Sequence, residues 1–401
     1  MFQRLWVGQT ISQFGSQIGS AALRYTALLI LAASPSEMAW LSAAAMLPAL
    51  LLGLPIGTLV DRHRRRPLLI AADLGRGLLL LAIPIAYALG WLRIELLYLL
   101  AALAGTLSVL FDSAYHAFLP SVVARDDLIA GNSRLSMSDS VAEVAGPPIG
   151  GLLVQLIGGP LTIVADALSF FGSALAIGSI PNTEAEPAQE SGTDWRSEMT
   201  EGVQAAWADL RLRALLATAI TRGVVGGLIG PLYDLYLVRE LAIRPFWVGL
   251  TIGIGGVSAL FGATLANRLV QRWGLGRTLI TSLIVSGLTT ALIPLATGPF
   301  ALGLLILAQS SDAAQTIYAI NEVSFRQTIV PDRLLGRVGA VFGLLPTTAT
   351  LLGALATSAL VMVISLRDLL FIAALIAAAS SIWLIGSPIR AIQQYEQPPT
   401  A

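Results

Sequence analysis

Thr58-Leu59-Val60-Asp61-Arg62 returns as Thr264-Leu265-Ala266-Asn267-Arg268 (264 − 58 = 206), and both copies lie where a long apolar run gives way to arginines. The same offset superimposes Asp126 and Leu128 on Asp332 and Leu334, so two separate loops share one register across 401 residues. Agreement at two loops makes chance a poor account and points to a duplicated membrane bundle. The copies are chemically unequal, since Asn267 stands in the place of Asp61 and Gln271 in the place of Arg65.

Hydrophobic residues make up 55% of the chain and charged residues 12%, and the mean hydropathy is +0.77. A water-soluble surface cannot be built from that balance at this length, so the chain reads as a polytopic membrane protein. All 24 basic residues are arginine; this reads as compositional bias of the genome, although arginine suits fixed bidentate pairs. The absence of cysteine excludes disulfides, thiolate metal sites and cysteine catalysis. With no lysine there is no phosphate-binding loop of the Gly-rich, Lys-Ser or Lys-Thr kind, hence no ATP site of that type.

A spanning helix needs roughly 20 apolar residues to cross about 30 Å of hydrocarbon. Twelve such runs are expected. Six fall near Leu5 to Ala33, Met38 to Val60, Pro67 to Leu89, Ile94 to Leu119, Leu135 to Ile157 and Leu161 to Ile180. The others fall near Leu212 to Val238, Phe246 to Val270, Thr278 to Thr297, Phe300 to Phe325, Val338 to Ser365 and Leu369 to Ile389. The first run is too long and too rich in Gln and Ser for a signal peptide, so a retained N-terminus is expected. Arg24, Arg76 and Arg222 lie inside spans, and of the other 21 arginines (24 − 3 = 21) only Arg93, Arg239, Arg244 and Arg367 fall opposite Arg62 to Arg66. The remaining 17 (21 − 4 = 17) mark the cytoplasmic face and put both termini inside. The expected organisation is an N-terminal bundle over 1–180, a cytoplasmic linker over 181–210 and a C-terminal bundle over 211–401. Within the linker, Pro181 to Gly192 is acidic and polar, whereas Asp194 to Leu210 can form an amphipathic helix through Trp195, Met199, Val203 and Ala206, lying along the membrane surface.

The loop after the second span reads Gly57-Thr58-Leu59-Val60-Asp61-Arg62-His63-Arg64-Arg65-Arg66. Gly57 allows helix 2 a close approach to a neighbour, Asp61 suits the positive end of a helix, and Arg62, Arg65 and Arg66 suit carboxylates or lipid phosphates. This stretch resembles the loop signature of the major facilitator superfamily, a Gly followed by Asp-Arg and a basic pair, and the resemblance covers essentially the full chain. Within that superfamily the chain is similar to the drug:proton antiporter branch of macrolide and enterobactin exporters. The residues that carry this are Leu5-Trp6-Val7-Gly8-Gln9 with Ser12 and Gly15, Phe118-Leu119-Pro120-Ser121 leading to Leu128 and Asn132, Asp166-Ala167-Leu168-Ser169-Phe170, and Glu201-Gly202 ahead of Leu212 to Leu216. Ser16 sits where that branch often has an acid. The resemblance implies that the loop charges form a conformational latch by bridging to the start of helix 11, around Gly336 to Ala340.

Helix 5 carries Gly146-Pro147-Pro148-Ile149-Gly150-Gly151, with Ala142 one turn earlier. Two prolines in one turn remove hydrogen bonds and bend a helix, while the glycines permit close packing. In the superfamily a similar Gly-Pro pattern accompanies export by antiport. By that resemblance the pattern favours efflux over uptake; a structural kink in a bundle of any transport direction is the alternative reading.

Ionisable groups within the bilayer cost roughly 2.5–3.5 kcal/mol each and so face a cavity or a partner. At about 1.5 Å per residue, Asp112, Glu143, Arg222 and Asp312 share a layer near the midplane, with Asp139 one turn from Glu143 on the same helical face. The superfamily lines its central cavity with helices 1, 4, 7 and 10, which puts Asp112, Arg222 and Asp312 on lining helices. Three acids against one arginine leave carboxylates free to exchange protons against a cationic or amphipathic substrate. Arg222 has two readings, a salt bridge to Asp112 or Asp312 and a contact to an anionic group of the substrate. Asp73 and Arg76, three apart, read as an internal ion pair, and Arg24 with Asp166 as mutual neutralisation. His116 reads as a local hydrogen-bonding group, and Tyr115, Tyr233, Tyr236, Trp247 and Tyr318 as aromatic contacts or interfacial anchors.

The expected protein is an all-α membrane protein of 12 transmembrane helices in two pseudo-symmetric six-helix bundles. It is expected in the bacterial inner membrane as a monomeric secondary transporter, not an enzyme, with no cofactor, metal or nucleic acid. Its partners are a small amphipathic substrate, protons and membrane lipids, and its activity is proton-coupled export. A dedicated natural-product or siderophore exporter, or a proton-coupled nutrient importer, would use the same fold.

Overall fold

A computed structural model of the protein describes residues 2–123, 127–181 and 195–393. Among the described residues the chain is helical without strands, and ten helices are long and apolar enough to cross a membrane. The helices are α1 (Phe2–Tyr25), α2 (Pro35–Asp61), α3 (Arg65–Ala88), α4 (Ile94–Val122), α5 (Leu128–Ile157), α6 (Gly159–Gly178), α7 (Trp195–Ala208) and α8 (Leu210–Leu235). They continue with α9 (Pro245–Trp273), α10 (Leu275–Thr290), α11 (Leu292–Leu295), α12 (Ala301–Ala308), α13 (Ser310–Ile329), α14 (Asp332–Leu360), α15 (Leu366–Ala379) and α16 (Ile382–Ile385).

Two expected spans fall outside the ten, each for a polar reason. In α1 the residues Gln9, Ser12, Gln13 and Ser16 interrupt the apolar run, and the tenth span is divided at Gln309 into the apolar α12 and the polar α13. In α5 the helix passes through Pro147 and Pro148 without a break.

The chain forms two compact units, Met1–Glu190 with Leu237–Gly253, and Ser191–Tyr236 with Ile254–Ala401. In the first unit α1 packs on α5 and α6, α3 on α4 and α6, and α2 on α4. Its core gathers Leu5, Leu69, Phe111, Phe118 and Ile177. Gly8, Gly15 and Gly19 bring α1 so close to α6 that a Cβ at any of them would overlap Ala176, Ser169 or Asp166. Such small-residue seams replace the hydrophobic driving force that helices lack inside a bilayer. In the second unit α8 packs on α14, and α10 on α13 and α15. There Gly223, Gly227 and Gly353 set the α8–α14 approach.

The duplication is visible in the backbone, in a second register. A π-helical turn at Thr26–Ile30 recurs at Tyr236–Glu240 (236 − 26 = 210). Ala32 with φ 52° recurs as Ala242 with φ 53° (242 − 32 = 210). The hydrogen bond from Ala33 N to Ala27 O recurs from Ile243 N to Leu237 O, at 2.9 Å in both. A left-handed alanine costs about 1–2 kcal/mol, and the protein holds that conformation twice at matching places. The loop motif repeats at 206 and the helix starts Pro35 and Pro245 at 210, so α2 has four more residues before the motif than α9 has.

The amphipathic segment forms α7. Met199 and Ala206 pack against Leu216 and Val341, while Val203 and Trp207 point outward. Glu201 pairs with Arg337 of α14. Except for Pro181, the acidic stretch before it lies outside the described residues.

Candidate functional site

The polar groups of the first unit gather around Arg76. Its guanidinium donates to Asp73 Oδ1 at 2.5 Å and to Ser108 Oγ at 3.4 Å. Phe111 and Phe170 cover its two faces at 4.4 and 4.2 Å from the ring centroids. Asp73 is fully buried, so the expected ion pair is formed, and the aromatic rings complete the desolvation of the cation.

Arg76 also reaches a cavity of about 340 Å³ bounded by α1, α3, α4 and α5. Gln9, Ser12, Gln13 and Ser16 of α1 form one wall, and Asp112, Tyr115 and His116 of α4 face Asp139 of α5 across it. Asp112 is exposed and makes no hydrogen bond or ion pair among the described residues. Thus the structure brings Asp112 and Asp139 together, whereas Glu143, four residues on, is exposed and does not line the cavity. Asp166, buried in α6, takes a hydrogen bond from Ser169 at 3.3 Å and lies against Gly15 and Gly19 rather than against Arg24.

In the second unit Arg222 makes no salt bridge to Asp312 among the described residues. Its Nη2 donates to Gln315 Oε1 at 3.0 Å, and Gln315 Nε2 reaches Asp312 Oδ1 at 3.5 Å. The amide orientation is self-consistent, because the reverse would set NH2 against guanidinium and carbonyl against carboxylate. Arg222 also stands 4.8 Å from the Tyr318 ring centroid. Asp312 is near the start of α13, beside the division at Gln309, whose side chain donates to Tyr233 OH at 2.8 Å. Interrupted helices at membrane depth are tolerated where they border a cavity or protein. A second buried pair, Glu322 with Arg326 at 3.0 Å, was signalled only by its four-residue spacing.

Helix 5 uses its glycines for packing. Gly146 and Gly150 face Gln17 and Ile18 of α1, and Gly151 meets the Pro245 carbonyl at the start of α9. Gly249 and Gly253 press the first turns of α9 onto Val144, Pro147 and Pro148, within the same unit. Of the latch residues, a Cβ at Gly57 would meet nothing within 4 Å, so the close approach expected there is not made. Asp61 and Arg62 are exposed. Arg66 caps the end of α6 by donating to Ile177 O at 3.2 Å and to Gly178 O. Arg65 is half-buried at the start of α3.

Among the remaining aromatic residues, Tyr236 is buried and donates to Pro294 O at 3.3 Å, and Trp247 is exposed against Phe246. Outside the spans, Asp209 caps α8 by accepting from Arg211 N at 2.7 Å and pairs with the Arg211 guanidinium at 2.8 Å. Burial opposes the charge of Asp209, but the hydrogen bonds and charge of Arg211 outweigh it and hold the carboxyl below its usual range. Among the described residues no group of three or more His, Asp or Glu side chains could hold a metal ion.

The sequence pattern of the Major Facilitator Superfamily matches residues 5–345. The chain is 30% identical over 329 residues to the multidrug efflux pump Tap of Mycolicibacterium fortuitum, covering 77% of each protein. It is 26% identical over 365 residues to the uncharacterized MFS-type transporter YfiS of Bacillus subtilis, covering 87% of this chain and 84% of that one. A bacterial homologue of the iron transporter ferroportin, solved in an inward-facing state, superimposes with a TM-score of 0.75 at 20% identity, covering 96% of this chain and 98% of that one. At that identity the likeness concerns the fold.

Proposed function

The chain belongs to the Major Facilitator Superfamily, as a multi-pass membrane transporter with efflux pumps among its relatives, and we propose that it exports amphipathic drug-like compounds in exchange for protons. On this reading it works by alternating access in the bacterial inner membrane, with both termini cytoplasmic. The observation that carries the reading is the cavity of the first unit. Among the described residues it holds Asp112 and Asp139 without hydrogen-bonded cation partners, beside an Arg76 that is already paired with Asp73. A carboxylate in that position, at membrane depth and open to a polar cavity, changes its protonation at little structural cost. Substrate binding and proton release then compete for one negatively charged region. Glu143, one turn along α5, relays protons to or from that cavity.

The loop from Gly57 to Arg66 acts as the latch between states. Asp61 and Arg62 are exposed here, free to engage in the alternative state, while Arg66 remains an anchor to α6.

The test uses inverted membrane vesicles energised by respiration, with ethidium as the solute. Wild-type protein should draw ethidium inward, and a protonophore should abolish this. Asp112→Asn and Asp139→Asn should each remove proton-driven movement while leaving the protein in the membrane. Loss of solute on energising, or uptake that ignores the protonophore, would overturn the reading in favour of import or of another driving force. Full proton-driven transport by Glu143→Gln would remove Glu143 from the relay.

A further inference from the structure

The second unit contains a cavity of about 300 Å³ between α8, α10, α13 and α15. Arg222 and Gln315 lie on one side, Ser286 on another, and no acidic residue lines it. The Nη1 atom of Arg222 is buried and has no hydrogen-bond partner, since its one hydrogen bond, to Gln315, uses Nη2. The Ser286 hydroxyl likewise makes no hydrogen bond among the described residues, although its carbonyl accepts from Thr289 and Thr290. Gly226 and Gly230 follow Arg222 at successive four-residue steps on α8, and a Cβ at Gly230 would meet nothing within 4 Å.

We infer that this cavity binds a carboxylate carried by the transported solute. A carboxylate is acceptor-only, and the cavity offers two unused donors, one of them the buried Nη1 of the half-buried Arg222. Guanidinium recognises carboxylate through paired parallel hydrogen bonds, and Arg222 has one of its two terminal nitrogens free for that role. Gln315 satisfies one N–H without supplying charge, and Glu322 acts on Arg222 only through space while its own hydrogen bond goes to Arg326, so the buried Nη1 keeps an unmet hydrogen-bonding demand. The other membrane arginines with resolved pairs differ, because Arg76 has Asp73 and Arg326 has Glu322. The volume admits a head group with a short apolar stem along Val225, Ile229 and Leu283, not a whole drug molecule. The cavity therefore adds amphipaths with a carboxylate at one end to the cations, such as ethidium, that suit the carboxylates of the first unit.

This inference rests on the export reading for the word "transported", but its binding chemistry can be measured separately. The probes are 1-naphthoate and 1-naphthamide, which share a ring and differ in charge, titrated by calorimetry into the purified full-length protein. Naphthoate should bind wild-type protein about tenfold or more tightly than naphthamide, the scale of a charge-assisted hydrogen bond. Arg222→Gln should erase the preference and Arg222→Lys should keep part of it. Gly230→Val, which leaves the arginine in place and fills the space, should weaken both probes.

Equal affinities in the wild type, or a preference that survives Arg222→Gln, would overturn the assignment. So would displacement of naphthoate by millimolar chloride, which would mark a site for a free inorganic anion. A protein that binds naphthoate selectively but moves no solute sinks the export reading alone. One that exports ethidium without any carboxylate preference sinks this inference alone.

Discussion

Arg76 and Arg222 are both cations at membrane depth, one in each unit, and they are stabilised by different means. Arg76 sits 2.5 Å from a fully buried carboxylate and between two phenylalanine rings. Arg222 has a neutral amide at 3.0 Å and one tyrosine ring, and the Glu322 carboxylate acts on it only through space, with no hydrogen bond between them. The first arrangement has its counter-charge within hydrogen-bond distance, although Arg76 Nε and Asp73 Oδ2 are buried without hydrogen bonds, and removing the carboxylate strands the cation. The second is incomplete, and a ligand can finish it. Two arginines in a duplicated scaffold have thus become a structural element and a candidate binding element.

The largest expected effect breaks that contrast most directly. Asp73→Ala should destabilise the protein by about 3–5 kcal/mol, because it leaves a buried guanidinium without its partner. Gln315→Ala should cost about 1.5 kcal/mol, the scale of one hydrogen bond to a charged group. Thermal unfolding in detergent measures both, and equal losses would mean that the two arginines are held alike.

Next in size is the latch. Asp61→Asn should slow or abolish ethidium export, whereas Asn267→Ala should do much less. Equal effects in the vesicle assay would show that the second copy of the motif carries as much of the conformational change as the first.

The smallest effect is at the edge of the second unit. With its carboxyl held below the usual range, Asp209 contributes stability that is present above its unfolded value of about 3.9 and is lost as pH falls through the lower folded value. Hydrogen exchange in the first turn of α8 should therefore accelerate, relative to an Asp209→Ala control, as pH drops from 5 toward 3. A flat difference between the two proteins would show that Arg211 does not hold the Asp209 carboxyl below its usual range.

Much of the fold was legible because hydrophobic length is a direct physical requirement of a bilayer. The helix through Arg65–Ala88, for example, needed only an unbroken apolar run. The first helix was harder on the same rule, and the polar stripe Gln9, Ser12, Gln13 and Ser16 that weakened its hydropathy turned out to be a wall of the cavity. At the site, Asp73 and Arg76 were legible from a three-residue spacing, whereas Phe111 and Phe170 come from two other helices that no local pattern links to Arg76. Gln315 escaped notice because a search for ionisable groups passes over a neutral amide. Gly57 shows the reverse failure, since a glycine in a helix suggests a neighbour that this structure does not supply there.

The two repeat registers carry one more consequence. Counted from its proline, Asp61 is the last residue of the 27-residue α2, but Asn267 is the 23rd residue of the 29-residue α9 (267 − 245 + 1 = 23). The second motif is therefore drawn about 6 Å, one helical turn, back into its span and enclosed by helix on both sides. Arg268 keeps its charge beside an exposed Asn267, so what the four-residue shift changes is the chain path: the first motif ends its helix at Asp61, whereas the second lies inside a continuous one.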